Sequence, residues 1–546
     1  MKTSKNVIDL LSPTKWVIKL LGLSEKTSKP DTPGLVMIQI DGLAARHLET
    51  AIHRGLMPFM KKLYREGQYQ LWPHYSGIPS NTPSVQGEIF YGIKQLVPAF
   101  NFKDRSTNQI FKMYQSSSAS SKEAEGMSRG AEPLLEGGSS YGNIFAGGAK
   151  ESHYTASTFG NDEIRRFFDP KTVAVILFFN FHIVIRSLIL TTVELYLAAY
   201  DFLRGVITGF DCMSELKFIP TRVGVSVILR ELIVAGAKID VARGLPIIHL
   251  NLFGYDEQAH RRGPSSWFAY WSLRGIDSAI RRVYKSARSS GKRDYDIWIY
   301  SDHGQEESVP FCKVAGKPIA ETVQEVFGRV LPAGKDRKAY GYFRDQCDCR
   351  QSRSGKRNPA IECIPQYEEG LIVTAMGPIG FIYPPFRLSD DETETVAQEL
   401  AAMGKVPVVL AVIQGRLRVW NSSGRHEYEA GMRIVLGPDH PYIPQIIADV
   451  RRLCAHADAG AFTILGWHAG RQNITFPDEH GAHGGIGPEE TNGFALLPSY
   501  APLRVSRKSF IVPMDIRNAA LAYMNRGPET LKEETSPDAS RKTAGV

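Results

Sequence analysis

The chain has 546 residues, 65 of them Lys or Arg against 57 Asp or Glu, for a formal net charge of +8. At 43% hydrophobic and 22% charged it reads as a globular protein, long enough for more than one domain or one domain with a large insertion. The charge suits an anionic substrate or surface, but the basic residues are scattered and no nucleic-acid-binding motif is present.

Six cysteines in so long a chain do not make a disulfide framework, which predicts free thiols in a reducing compartment. Cys347, Cys349 and Cys363 could cradle a metal but lack a fourth ligand at a suitable spacing. The apolar patches near the N-terminus are short and carry no h-region or cleavage site, so the expected location is cytoplasmic.

In chain order, 1–33 reads as a mobile N-terminal segment and 34–306 as the first part of an α/β core. Leu35 to Ile40 has the composition of a buried strand, and a helix is expected from Ala44 to Glu66. Gln86 to Tyr91 reads as a helix closed by Gly92, and Ser116 to Gly138 as a loop. An apolar helical insertion occupies 165–212. Within it, 173–199 is either a buried helix pair or an in-plane element docking peripherally on a membrane; Arg186 and Glu194 make a true span a third choice.

Ile247 to Phe253 is a second buried strand, and a helix from Trp267 to Ser289 leads to a third at Ile297. This alternation predicts a mostly parallel sheet covered by helices on both faces. Short strands and a helix at Glu392 to Met403 mark 307–432 as an inserted α+β cap subdomain. The core is expected to resume over 433–525, with a strand at Ala461 to Trp467, before a disordered tail over 526–546.

Chemistry gathers at the strand ends. Asp41 follows the first strand, and Asp256 with His260 stands in a Gly-led turn after the second. Asp302 and His303 follow the third, and His483 lies between Ala482 and Gly484. Asp and His without thiolate suit hard-to-borderline divalent ions, Zn²⁺ or Mn²⁺, and a pair of such ions can polarise a phosphoryl oxygen. Thr82 lies in a polar turn before a helix, where free N–H groups favour anions.

This order of motifs resembles the alkaline phosphatase superfamily, above all its nucleotide pyrophosphatase/phosphodiesterase branch. The branch shows an Asp after the first strand, a Thr nucleophile ten residues before a Gly, an Asp-x-x-x-His pair, an Asp-His-Gly motif and a late Gly-x-His-Gly. Here these are Asp41, Thr82 with Gly92, Asp256 with His260, Asp302 with His303, and His483.

The resemblance implies an alkaline-phosphatase-like fold and two divalent ions, Zn²⁺ above Mn²⁺. Asp41, Thr82, Asp302 and His303 would hold one ion, and Asp256, His260 and His483 the other. It further implies a phosphodiesterase or phosphatase that cleaves a phosphate ester or pyrophosphate bond through a phospho-threonine on Thr82, with Asn101 on a phosphoryl oxygen. Which phosphate ester it takes stays open, with the apolar block from Val173 to Ala199 hinting at a lipid-linked substrate or a hydrophobic leaving group, and a nucleotide as the other candidate. In this chain Pro83 follows Thr82 directly, where the branch has Thr-x-Pro, and His480 competes with His483. Sulfatase chemistry is excluded by Asn81 and Val85. The alternatives are a phosphotransferase with a lipid or sugar acceptor and a non-catalytic membrane-bound scaffold.

Overall fold

The computed structural model describes residues 18–20, 23, 32–129, 132–160, 181–207, 216, 219–220, 223–331, 370–504 and 509–526. Gly34–Ile40, Ile247–Leu252 and Tyr295–Tyr300 are buried at every position, as near-continuous apolar strands must be. Gly34–Ile40 runs parallel between the other two. Ser139–Tyr141 and Glu151–His153 continue the parallel run on one side. On the other side Asn492–Pro498 and then Tyr69–Tyr75 join antiparallel, closing a seven-stranded sheet.

Strand alternation sends successive residues to opposite faces, and helices cover both. Val36, Ile38 and Ile40 pack with Leu273, Ile276 and Ile280 of the Trp267–Arg288 helix. Leu35 and Met37 face the other way, into a core with Ile89 and Phe90 of the Thr82–Tyr91 helix. The chain is α/β with a mostly parallel sheet covered on both faces.

A second sheet of six antiparallel strands holds Ile372–Met376, Ile379–Tyr383, Phe462–Leu465, Val408–Ile413, Arg416–Asn421 and Gly424–Glu427, in that order. Leu410 and Phe381 on one face share the core of the central sheet, while Val409 and Ile382 on the other pack with Val396 and Leu400 of the Asp390–Ala402 helix. That helix starts at a capping box between Ser389 and Glu392.

Four expectations change. The helix from Ala44 to Glu66 is two, Ala45–His53 and Pro58–Arg65, because Gly55 turns left-handed (φ 70°) and Pro58 can only begin a new helix. The loop from Ser116 holds a helix, Ser116–Ser128, whose Lys122 turns inward to Asp104 at 3.0 Å and Asp458 at 3.1 Å. The strand expected in the core, Ala461 to Trp467, pairs instead in the second sheet as Phe462–Leu465. Cys312 is disulfide-bonded, against the expectation of free thiols, whereas Cys454 is free.

Of the apolar insertion, Phe181–Ile207 is one helix. Among the described residues no helix is long and apolar enough to cross a membrane. Cys347, Cys349 and Cys363, most of the N-terminal segment and the tail beyond Arg526 lie outside the described residues.

Candidate metal centre

Three adjacent parallel strands deliver three carboxylates to one edge. Asp41 follows Ile40 directly, Asp302 stands two residues past Tyr300, and Asp256 opens the Gly254–Arg262 helix after Leu252. The carboxyl ends of parallel strands are where open α/β sheets bind ligands. Backbone closeness is part of the design: Gly42 has φ 70°, and a Cβ there would lie 2.3 Å from Asp256 Oδ1.

His483 comes from far along the chain. Its strand, Gly481–Ala482, pairs antiparallel with Glu306–Glu307, just past Asp302 and His303. The second sheet braces it, since a Cβ on Gly377 would lie 2.2 Å from the His483 carbonyl. Ser80 ties this loop to the Thr82 turn: its carbonyl is 3.0 Å from His483 Nδ1, and its hydroxyl accepts from the Gly484 N–H at 3.1 Å.

Two groups of candidate ligands have donor atoms within 4.8 Å of one another: Asp41, Asp302 and His303, and Asp256, His303 and His483. His260 joins the second through Asp256, with Nε2 3.3 Å from Asp256 Oδ2, while its Nδ1 lies 3.1 Å from the Gly481 carbonyl. All six Asp and His ligands expected from the sequence therefore converge, with His303 shared between the groups. His480 stands apart, 3.4 Å from Lys313 Nζ and in neither group.

Charge in this edge is out of balance. Burial, with Asp302 and Asp256 close by, pushes the Asp41 carboxyl well above its ordinary value. Burial raises Asp302 in the same direction, and Asp302 Oδ2 is a buried acceptor with no hydrogen-bond partner. Burial lowers His303 to about 4 and His483 to about 3, so both present neutral imidazoles with lone pairs. Crowded carboxylates, an orphaned oxygen and neutral imidazoles are the donor set a divalent cation needs. The residues present fit a metal.

The Thr82–Tyr91 helix brings Thr82 to the centre. Asn81 caps it, accepting the Ser84 N–H at 3.0 Å, and Gly92 ends it in the left-handed region. Thr82 Oγ1 is 3.3 Å from Asp41 Oδ1 and 3.2 Å from His303 Nε2. The hydroxyl therefore sits at a helix N-terminus, where free N–H groups favour anions, beside a carboxylate and a neutral imidazole.

A cavity of about 770 Å³ opens over Thr82, Asp41, Asp256, His260 and His483. Phe100, Tyr114, Ile144, Tyr154, Leu229 and Phe253 give it an apolar wall, and Met376, Gly377 and Ile379 of the second sheet's first hairpin close another side. Phe100 and Tyr114 stack with ring centroids 6.3 Å apart.

Asn101 does not reach this cavity. It pairs with Lys112 in the hairpin of Asn101–Asp104 and Gln109–Lys112, and strand alternation leaves its neighbour Phe100 on the wall instead.

Sequence reasoning missed several residues. Asn81 lines the cavity with its Nδ2 buried and unpartnered, and Asn251 lines it while donating to Asp41 Oδ2 at 2.7 Å. Gln305 donates to the Asp256 carbonyl at 3.2 Å, joining two of the motifs. Glu490 accepts the N–H groups of Gly485 and Gly487 at 2.7 Å each and holds the loop after His483. Asn81 was readable as the residue before a helix, an N-cap signal. The others had no local signal.

No protein-family model matches the chain, and neither does any curated protein. Solved structures align over nearly the whole length at low identity. A phosphonoacetate hydrolase from Sinorhizobium meliloti 1021, in complex with phosphonoacetate, is 13% identical with a TM-score of 0.47, covering 90% of this chain and 97% of that one. Murine ectonucleotide pyrophosphatase/phosphodiesterase 5, in complex with AMP, is 10% identical with a TM-score of 0.43, covering 91% and 95%. At this distance the likeness says nothing of what this chain binds.

Proposed function

We propose that the chain is a two-metal hydrolase of phosphate esters, with Thr82 as nucleophile. The observation that carries the reading is the convergence of Asp41, Asp302, His303, Asp256, His260 and His483 around the Thr82 hydroxyl from separate stretches of the sequence. The order of motifs, which resembles the nucleotide pyrophosphatase/phosphodiesterase branch, supports it. Asp41, Thr82, Asp302 and His303 would hold one ion and Asp256, His260 and His483 the other. Bound there, Zn²⁺ or Mn²⁺ would supply Lewis-acid stabilisation of the phosphoryl oxygens.

The chain's own residues do the rest. The Asp41 carboxylate and the His303 ring orient the Thr82 hydroxyl, and Asp41 Oδ1 accepts its proton. Thr82 Oγ1 forms the new bond to phosphorus while the ester P–O bond breaks and the leaving oxygen departs with a proton. Water then cleaves the phospho-threonine and restores the hydroxyl. The helix N-terminus would face the negative oxygens of the reacting group, with Asn81 Nδ2 as an unpartnered donor beside it.

The apolar cavity wall favours an ester with an apolar or planar leaving group, a nucleotide or a lipid-linked phosphate. Where the ester is lipid-linked, the Phe181–Ile207 helix would bring the chain to a membrane periphery. Comparison of diester and monoester hydrolysis by metal-loaded protein tests the reading; no turnover of either class would refute it.

A further inference from the structure

The Phe181–Ile207 helix is built inside out. Three of its charged side chains face the protein: Glu194 and Asp201 are buried, Asp201 is 2.9 Å from Arg262, and Arg186 donates to Ser278 at 3.0 Å. Its apolar side chains face away. Leu188, Ile189, Tyr196, Tyr200, Leu203 and Ile207 are each between 57% and 84% exposed. A helix that spends its few charges on internal partners and turns this much apolar surface outward is made to be covered.

The surroundings indicate by what. Asp201 reaches Arg262 of the Gly254–Arg262 helix, and Arg186 reaches Ser278 of the Trp267–Arg288 helix. That neighbour exposes Arg274, Arg281 and Lys285, of which Arg274 and Arg281 stand one turn either side of Ser278. Trp267, 55% exposed, stacks on Trp271 at 5.4 Å. In the helices Phe181–Ile207, Arg230–Arg243 and Trp267–Arg288, every acidic side chain is buried: Glu194, Asp201, Glu231, Asp240 and Asp277. Among the described residues of these three helices the exposed side is apolar with Tyr and Trp, and its exposed charges are positive.

We infer that this face docks in the plane of an anionic lipid bilayer, with Leu188, Ile189 and Leu203 in the acyl boundary and Arg274, Arg281 and Lys285 on the headgroups. Aromatic rings with one polar end suit that boundary, and an interfacial helix needs neither the length nor the unbroken apolarity of a span. The inference does not depend on the hydrolase reading, because binding is read without turnover.

The test is co-sedimentation of the full chain with phosphatidylcholine vesicles, with and without phosphatidylserine. Wild type should bind the anionic vesicles and be released by salt. The combined variant Leu188→Ser, Ile189→Ser and Tyr196→Ser should bind about tenfold or more weakly, with an unchanged far-ultraviolet circular dichroism spectrum. Arg274→Glu with Arg281→Glu should weaken anionic-vesicle binding by about fivefold per charge removed, with no effect on neutral vesicles. That second variant keeps the test intact if the first fails to fold. Three results would overturn the inference: no binding by wild type, equal binding by either variant, or a wild-type dimer that the triple variant dissociates.

Discussion

The His303 and His483 rings stack face to face, with centroids 3.8 Å apart and planes 18° from parallel. Two neutral imidazoles, brought together from distant parts of the chain, share one side of a cluster of buried carboxylates. One donor atom from each ring lies within 4.8 Å of the other and of the Asp256 carboxylate. His303 stands in both ligand groups, and His483 only in the one with Asp256.

Metal content follows from that division. Wild type should carry two ions per chain by elemental analysis, and His483→Ala should keep about one. Chelation should silence hydrolysis, and Zn²⁺ or Mn²⁺ should restore it. Because the ions bind only the folded chain, saturating metal should raise the melting temperature of chelated protein, the stabilisation being about 2.7 kcal/mol per ion at a hundredfold excess over Kd. An unchanged melting temperature would count against the site.

Asn81 does two jobs that a pair of substitutions separates. Asn81→Ala removes the helix cap and the buried, unpartnered Nδ2 donor, which should cost about 1 kcal/mol of stability and roughly 10²-fold in kcat. Asn81→Asp keeps a cap acceptor for the Ser84 N–H but loses the donor, so stability should return while kcat stays low. Recovery of kcat with Asp would show that only the cap matters.

Two buried carboxylates near the His483 loop set a pH dependence. Burial pushes Glu306 up to about 8 and Glu490 up to about 7, from 4.5. Below pH 4.5 both groups are neutral in either state and cost nothing. As pH rises, the unfolded chain loses these protons first, so stability present at low pH falls by about 1.4 kcal/mol per unit and per group. The fall should level off above about 8, where the folded Glu306 also ionises. Glu306→Gln keeps an acceptor for the Glu489 N–H and should flatten the curve in denaturant titrations from pH 5 to 8. A variant with the wild-type slope would show that Glu306 ionises freely.

Much of the site was legible because parallel strands advertise themselves. Leu35 to Ile40, Ile247 to Leu252 and Ile297 to Tyr300 are apolar runs, and the chemistry comes within a few residues of each. What was hidden depends on partners distant in sequence. Tyr69–Tyr75 contains Pro73 and exposed polar positions, so it reads as no strand until Asn492–Pro498 pairs with it. Phe462–Leu465 is as apolar as a core strand, and only its pairing places it in the second sheet. Ser116–Ser128 looks like a loop because its buried face is polar, stabilised by the Lys122 ion pairs. Asn101 stands outside the cavity lining because spacing from Thr82 says nothing of which side of the chain a residue occupies.

The most direct test of the account is hydrolysis of bis(p-nitrophenyl) phosphate by wild type and Thr82→Ala, each with its metal content measured. The account predicts turnover by wild type and a loss of roughly 10³-fold or more in the variant, at near-equal metal content. A variant that keeps its activity, or a wild type inert with two ions bound, would contradict it.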